Sequence, residues 1–280
     1  RWLMPLILAI FLIGNIDKDL LHKMAVIIFW LFVFHFILQI IQLFFAGGWF
    51  GINSFGLSSR NPGLFFIPST ASVFGILVLF FSKFYMNKKF DRKILFLIPI
   101  SILLTSSGTG IVIYFVFISV YYLNKKYLPL IPLILICLAI FLTFTLDILS
   151  GRSGLIEESF GVRLTMFKDV FNAASFLSTD FGFGTSTGYL IADKYNIDFE
   201  MAVTDSWYAT VIVNLGLINS FIIAIFLFIS FIISINSKNK EIIIFFLMYT
   251  LFSATTSFTE LYPANLIFSI LFAYYIKPKK

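Results

Sequence analysis

The chain has 280 residues, of which 60% are hydrophobic, 19% aromatic and 12% charged, with 38 Phe. Soluble domains run near half apolar and a quarter charged, and disordered chains are poorer still in apolar residues, so neither class fits. A single Cys excludes a disulfide framework and a Cys-based zinc site, two His leave little for a histidine-built metal centre, and no metal is expected.

What fits is an all-α polytopic integral membrane protein, a single membrane domain over 1–280. A helix needs about 20 apolar residues to cross a bilayer core. The chain opens on Arg1, and residues 2–13 are expected to be the remnant of a span that starts upstream. Further spans are predicted at 24–46, 64–85, 128–149 and 207–235. The stretch 94–123 is interrupted by Thr105-Ser106-Ser107-Gly108-Thr109-Gly110 and reads as two short spans with a tight turn. In the same way 242–276 breaks at Thr259-Glu260-Leu261-Tyr262-Pro263. That makes about nine helices, and the runs are continuous rather than alternating, which disfavours a β-barrel.

The net charge of +6 raises nucleic acid as a partner, and its distribution argues against one. Basic connectors lie at 14–23, 83–93, 124–127, 236–241 and 277–280, and short loops rich in Lys and Arg stay on the cytoplasmic side. The predicted spans put all five there without contradiction. Outside remain 47–63, the turn at 105–110, the long loop 150–206 and the turn at 259–264. The long loop holds the acids Glu157, Glu158, Asp169, Asp180, Asp193, Asp198, Glu200 and Asp205 against the bases Arg152, Arg163, Lys168 and Lys194. Walker-type and dinucleotide Gly motifs are absent, which argues against a machine driven by ATP or NAD.

A connection of that length is usually functional or disordered. Leu164, Phe167, Val170, Phe171, Ala174 and Leu177 recur with helical spacing, so the loop is expected to carry an amphipathic helix, lying at the membrane boundary or simply packed. Phe181-Gly182-Phe183-Gly184-Thr185-Ser186-Thr187-Gly188 follows. Its glycines let N–H groups converge on an anion, and Thr185 and Ser186 add hydroxyl donors, although such clusters are also ordinary turns.

Arg60, Arg152 and Arg163 are the arginines predicted on the outside, where basic residues are under-represented. Each taken singly also reads as an interfacial anchor or the partner of a nearby acid. Together they favour an anionic ligand, because the guanidinium fork matches phosphate oxygens. Asp205, in Thr204-Asp205-Ser206-Trp207-Tyr208, reads both as a helix N-cap and as a general base at the edge of low dielectric. Glu158 and Glu260 also face outward and complete the candidate set. His35 falls within an apolar span, where it reads as a satisfied buried histidine. His22 lies in a cytoplasmic connector, and Cys137 reads as a small core residue.

Taken in order, these pieces resemble the family of O-antigen polymerases and ligases of the bacterial envelope. The matching stretches are Arg60-Asn61-Pro62-Gly63-Leu64-Phe65 with Pro68-Ser69-Thr70-Ala71, then Leu104 to Gly110 and the long loop with Arg163, Phe167 and Phe181 to Thr185. Asp205-Ser206-Trp207-Tyr208 leading to Asn214-Leu215-Gly216-Leu217 closes the series. The resemblance implies a membrane glycosyltransferase, active at the outer face of the bacterial inner membrane and needing no cofactor. Its donor and acceptor would be undecaprenyl-pyrophosphate-linked glycans, with a chain-length regulator protein as a candidate partner. It also implies that Arg60 and Arg163, and with them Arg152, engage the pyrophosphate. In the ligase branch a histidine opens the motif that begins here at Asp205, and the Asp favours a polymerase. From the residues alone, a flippase for the same lipid-linked oligosaccharide is the rival. Its usual signs, internal repeats and charges at mid-membrane, are not seen in the sequence.

Overall fold

A computed structural model describes residues 4–12, 15–44, 61–65, 68–86, 88–105, 107–130, 206–236, 239–255 and 264–276. Among the described residues the chain is all-helical. The helices are α1 (Met4–Leu12), α2 (Lys18–Phe44), α3 (Pro68–Tyr85), α4 (Lys88–Thr105), α5 (Gly108–Tyr122), α6 (Trp207–Asn236), α7 (Lys240–Thr255) and α8 (Ala264–Ile276). A 3-10 helix, Lys125–Leu130, follows α5.

Local chemistry explains where these helices begin. The Asp17 carboxylate accepts the Leu20 N–H at 2.7 Å and caps α2. Pro68 occupies the first position of α3, where its missing N–H costs nothing. Ser107 caps α5 by accepting the Gly110 N–H at 3.3 Å, and Thr105 Oγ1 accepts the Ser107 N–H, so the α4–α5 turn is held by its own hydroxyls. Asn239 caps α7 through the Glu241 N–H, and Glu241 lies in the first turn, where a negative charge complements the helix dipole. The breaks before α5 and before α8 both fall where the apolar runs are interrupted.

Two compact units divide the chain. The first comprises Leu3–Phe115 and Leu261–Lys280. Its centre is α3, in which the residues from Thr70 to Ser82 are buried without interruption. A helix apolar on all sides needs neighbours on all sides. α2, α4 and α8 pack against it, and α1 packs on α8. Phe74, Phe80, Phe81 and Leu77 fill the interior together with Phe32 of α2. Gly110 of α5 passes so close to Ser72 that a Cβ would collide with the serine side chain, the small-residue packing typical of helices in membranes.

One end of this unit is tied together by His22 Nδ1, 2.6 Å from the Tyr85 carbonyl, and by the hydroxyls of Tyr85 and Tyr275, 3.2 Å apart. The basic connectors 14–23 and 83–93 and the end of α8 therefore meet at one level. The opposite end gathers the segment 61–65 and the α4–α5 turn.

The second unit comprises Val116–Glu260, with Arg1–Trp2. Here the structure departs from the expectation of one span over 207–235. Gly216 has φ 77 and ψ 172, a conformation open to glycine, and it breaks α6 in two. Trp207 and Val211 pack with Ile223 and Leu227. In a straight helix Trp207 and Leu227 would stand about 30 Å apart, so the chain must fold back at Gly216. The result is a short arm from Trp207 to Leu215 lying against a long apolar helix. A glycine inside an apolar run carries no sign, in sequence, of the backbone angle it adopts.

Two helices are long and apolar enough to cross a bilayer, Lys18–Phe44 and Gly216–Ile233, and the other apolar helices found by the same test are shorter. The second of these buries only 6% of its residues within the protein. Phe221, Phe226, Phe228 and Ile233 are each more than 60% exposed. At about 25 cal/mol per Å² of apolar surface, such a helix is costly in water and at home in hydrocarbon.

Candidate functional site

Arg60, Arg152, Glu158, Arg163, Thr185, Ser186, Asp205 and Glu260 lie outside the described residues. So do the amphipathic helix and the glycine-rich run of the long loop. What the structure describes is the ground beside two of them, Asn61 after Arg60 and Ser206 after Asp205.

The segment after Arg60 is gripped from three directions. Its most notable partner is a polar stripe on α2, where His35, Gln39 and Gln42 recur with the four- and three-residue steps that align side chains on one helix face. His35 Nδ1 accepts the Leu64 N–H at 3.1 Å. Gln39 Nε2 donates to the Asn61 carbonyl at 3.0 Å and to the Ser101 carbonyl at 3.2 Å, while its Oε1 accepts the Ser101 hydroxyl at 2.6 Å. Gln42 receives the Gly63 N–H at 2.8 Å and donates to the Gly63 carbonyl at 3.1 Å.

From α4, the Leu104 carbonyl accepts the Asn61 N–H at 3.0 Å. Below the segment, the rings of His35, Phe65 and Phe74 form a mutually contacting triangle with centroids 5.2–5.8 Å apart. Beside it, Ser72 donates to Ser69 and meets the Ser107 hydroxyl at 3.3 Å. Residues 61–65 and 69–72 are close in the chain, and the distant residues 104, 105 and 107–110 meet them at one end of the first unit.

Geometry also sets the state of His35. An imidazole whose Nδ1 accepts a hydrogen bond carries its proton on Nε2 when neutral. His35 is fully buried, and among the described residues no hydrogen-bond partner meets that Nε2. His35 is thus a buried histidine as expected, though only half satisfied. Gln39 and Gln42 escaped the sequence reading. Their signal was a polar residue at each of three successive same-face positions in a helix otherwise rich in Phe, Ile and Leu.

In the second unit, Ser206 donates through Oγ to the Ser253 carbonyl at 3.2 Å, and the Trp207 ring meets Tyr249 edge-on at 5.9 Å. The start of the α6 arm is therefore anchored to α7 at the residue after Asp205. Amides, a hydroxyl and an imidazole act at the first place, and a hydroxyl holds backbone at the second. These groups position a chain; they do not themselves transfer charge. No protein-family model matches this chain, and neither does any curated protein or solved structure.

Proposed function

We propose that the protein is a membrane glycosyltransferase that polymerises undecaprenyl-pyrophosphate-linked oligosaccharide repeat units, of O-antigen or capsule, at the outer face of the bacterial inner membrane. The observation that carries this reading is the meeting of residues 61–65 and 69–72 with Leu104, Thr105 and 107–110, all from stretches that take part in the family resemblance, at one end of the first unit. That end is opposite the one where the Lys-rich connectors meet, as an outward-facing site requires.

In the proposed reaction an acceptor sugar hydroxyl attacks the anomeric carbon of the donor chain. A carbon–oxygen bond forms there while the bond to the diphosphate breaks, and undecaprenyl pyrophosphate departs with the electron pair. Asp205 takes the hydroxyl proton, a contribution of about 10²–10⁴ in rate. Arg60, Arg163 and Arg152 meet the charge that grows on the diphosphate, and they supply it in a partly dry site where such contacts are strong. Thr185 and Ser186 add hydroxyl donors to the phosphates, and Glu158 and Glu260 are further carboxylates on the same side. Greasy, outward-facing helices such as the second part of α6 suit a polyprenyl tail.

The test is incubation of the purified protein with lipid-linked repeat units. A ladder of products supports the reading, and unextended substrate at full protein recovery rejects it. A second reading, a flippase for the same lipid, draws on the break at Gly216, since discontinuous helices recur in transporters. Deletion cells separate the two: single repeat units still reach the surface if the protein polymerises, and do not if it flips.

A further inference from the structure

We infer that the outward side of α4 is a binding face for an anionic glycerophospholipid, whose phosphate meets Lys88, Lys89, Arg92 and Lys93 and whose acyl chain lies along Phe96 and Leu103. The inference does not rest on the polymerase reading. It needs only that the first unit sits in a bilayer.

The register of α4 carries it. Lys88, Arg92, Phe96 and Leu103 follow one another at steps of four, four and seven, which keep them on one side of a helix. Lys89 and Lys93 flank that line, so four bases share one side of the first two turns. Further along the same side, Phe96 is 71% exposed and Leu103 is 62% exposed. Ile98, Ser101, Ile102 and Thr105, on the other side, are buried. Asp91 stands seven residues before Ile98 and fourteen before Thr105, so it belongs to the buried side. The basic run therefore has no acid of α4 beside it.

The lengths agree with a lipid. From Arg92 to Leu103 the helix rises about 16 Å, and one leaflet of hydrocarbon is about 15 Å deep. The start of α4 also lies at a membrane boundary. Two residues separate it from Tyr85 at the end of α3. The Tyr85 carbonyl accepts from His22 Nδ1 at 2.6 Å, and the hydroxyls of Tyr85 and Tyr275 are 3.2 Å apart. Tyrosines gather at the headgroup level of membrane proteins. Lys18 and Lys23 are exposed at the same end.

A basic level followed by a bare apolar strip has the two-part chemistry of a phospholipid with net negative charge. A water-soluble acidic partner would leave Phe96 and Leu103 uncovered. A second copy of this chain, meeting the same side, would set bases against bases.

The experiment places the full chain in phosphatidylcholine nanodiscs, with Cys137→Ala as background and a fluorophore on Phe96→Cys. A minor fraction of the lipid carries brominated acyl chains, which quench on contact, as either phosphatidylglycerol or phosphatidylcholine. Brominated phosphatidylglycerol is expected to quench as though enriched about fivefold, since each Lys or Arg near an anionic headgroup is worth about 1 kcal/mol. The same fluorophore on Phe226→Cys, an exposed position of α6, is expected to show no preference.

Lys88→Gln, Lys89→Gln, Arg92→Gln and Lys93→Gln combined should abolish the enrichment at position 96. Added salt should weaken it in the chain that keeps its bases, a readout independent of whether the fourfold variant folds. Equal quenching by the two lipids at position 96 overturns the face. An equal excess at position 226 overturns it as well, because the preference then belongs to the whole lipid shell. Quenching by neither lipid at position 96 means that protein covers the strip, and a preference that survives both salt and the glutamines lies elsewhere; either result rejects the inference.

Discussion

Gln42 holds both main-chain polar groups of Gly63, accepting its N–H at 2.8 Å and donating to its carbonyl at 3.1 Å. A primary amide has one acceptor and two donors, so it can complete a peptide unit as a neighbouring strand would. On an apolar helix this is how a turn finds partners without water, since a backbone group left bare in hydrocarbon costs several kcal/mol. The segment that leads into α3 thus has both polar main-chain groups of Gly63 paired.

Gly63→Ala should destabilise the protein strongly. The left-handed φ of 61 costs an L-residue about 1–2 kcal/mol, and the new methyl group must displace the His35 ring. Overpacking adds about 1–3 kcal/mol. Thermal unfolding in detergent, followed by loss of the monodisperse peak, should show the largest fall in midpoint of any single Gly→Ala change in the first unit.

Two helical glycines offer a matched contrast. Gly110→Ala would place a methyl group against the Cβ and Oγ of Ser72, at a crossing where both partners are backbone-close, and should lose about 1–3 kcal/mol. Gly75→Ala meets Ile102 Cγ1 at 3.7 Å, ordinary contact, and gains the better helix propensity of Ala, about 0.5–1 kcal/mol. The midpoints should therefore move in opposite directions. Equal shifts would show that the α3–α5 crossing is looser than the Ser72–Gly110 approach indicates.

Much of this architecture is legible in the sequence. Thr105 to Gly110 announced the α4–α5 turn because hydroxyl residues and glycine interrupt an apolar run where helix caps are needed, and Ser107 serves as that cap. The same logic placed the break before α8. Two things were not legible. Gly216 sits in an apolar run that reads as one span, and nothing local reveals a φ of 77, because the fold-back is settled by packing of Trp207 and Val211 on Ile223 and Leu227. The stripe of His35, Gln39 and Gln42 was visible as letters, but its partners lie 21 to 62 residues away, and such distant pairing has no signature in periodicity. The candidate arginines and Asp205 rest on charge placement and resemblance, with their described neighbours Asn61 and Ser206 both anchored.

The fold-back at Gly216 has a direct chemical test. In a Cys137→Ala background, Val211→Cys with Leu227→Cys should cross-link through a short bifunctional maleimide, since both positions belong to one packed cluster. A straight helix would separate them by about 24 Å, beyond such a reagent. Adding Gly216→Ala should suppress the cross-link, because alanine does not populate φ 77 with ψ 172. Efficient cross-linking in the alanine variant would mean that the cluster, rather than the glycine, imposes the reversal.

Arg60 gives the sharpest test of the proposed chemistry. If its guanidinium meets the departing diphosphate, Arg60→Ala removes a preorganised donor and should lower kcat by about 10²–10³. Arg60→Lys should not rescue it, because a lysine keeps the charge but loses the planar fork that engages two oxygens at once. Asp205→Asn should lower kcat by about 10²–10⁴ while leaving the lipid-linked donor bound, since the amide cannot take the acceptor's proton. Membrane protein level and the length of surface polysaccharide, measured together, separate loss of chemistry from loss of protein. If Arg60→Lys supports chains of full length, the residue acts as a simple charge at the interface. If Asp205→Asn does so, the base must be sought among the other outward carboxylates, beginning with Glu158.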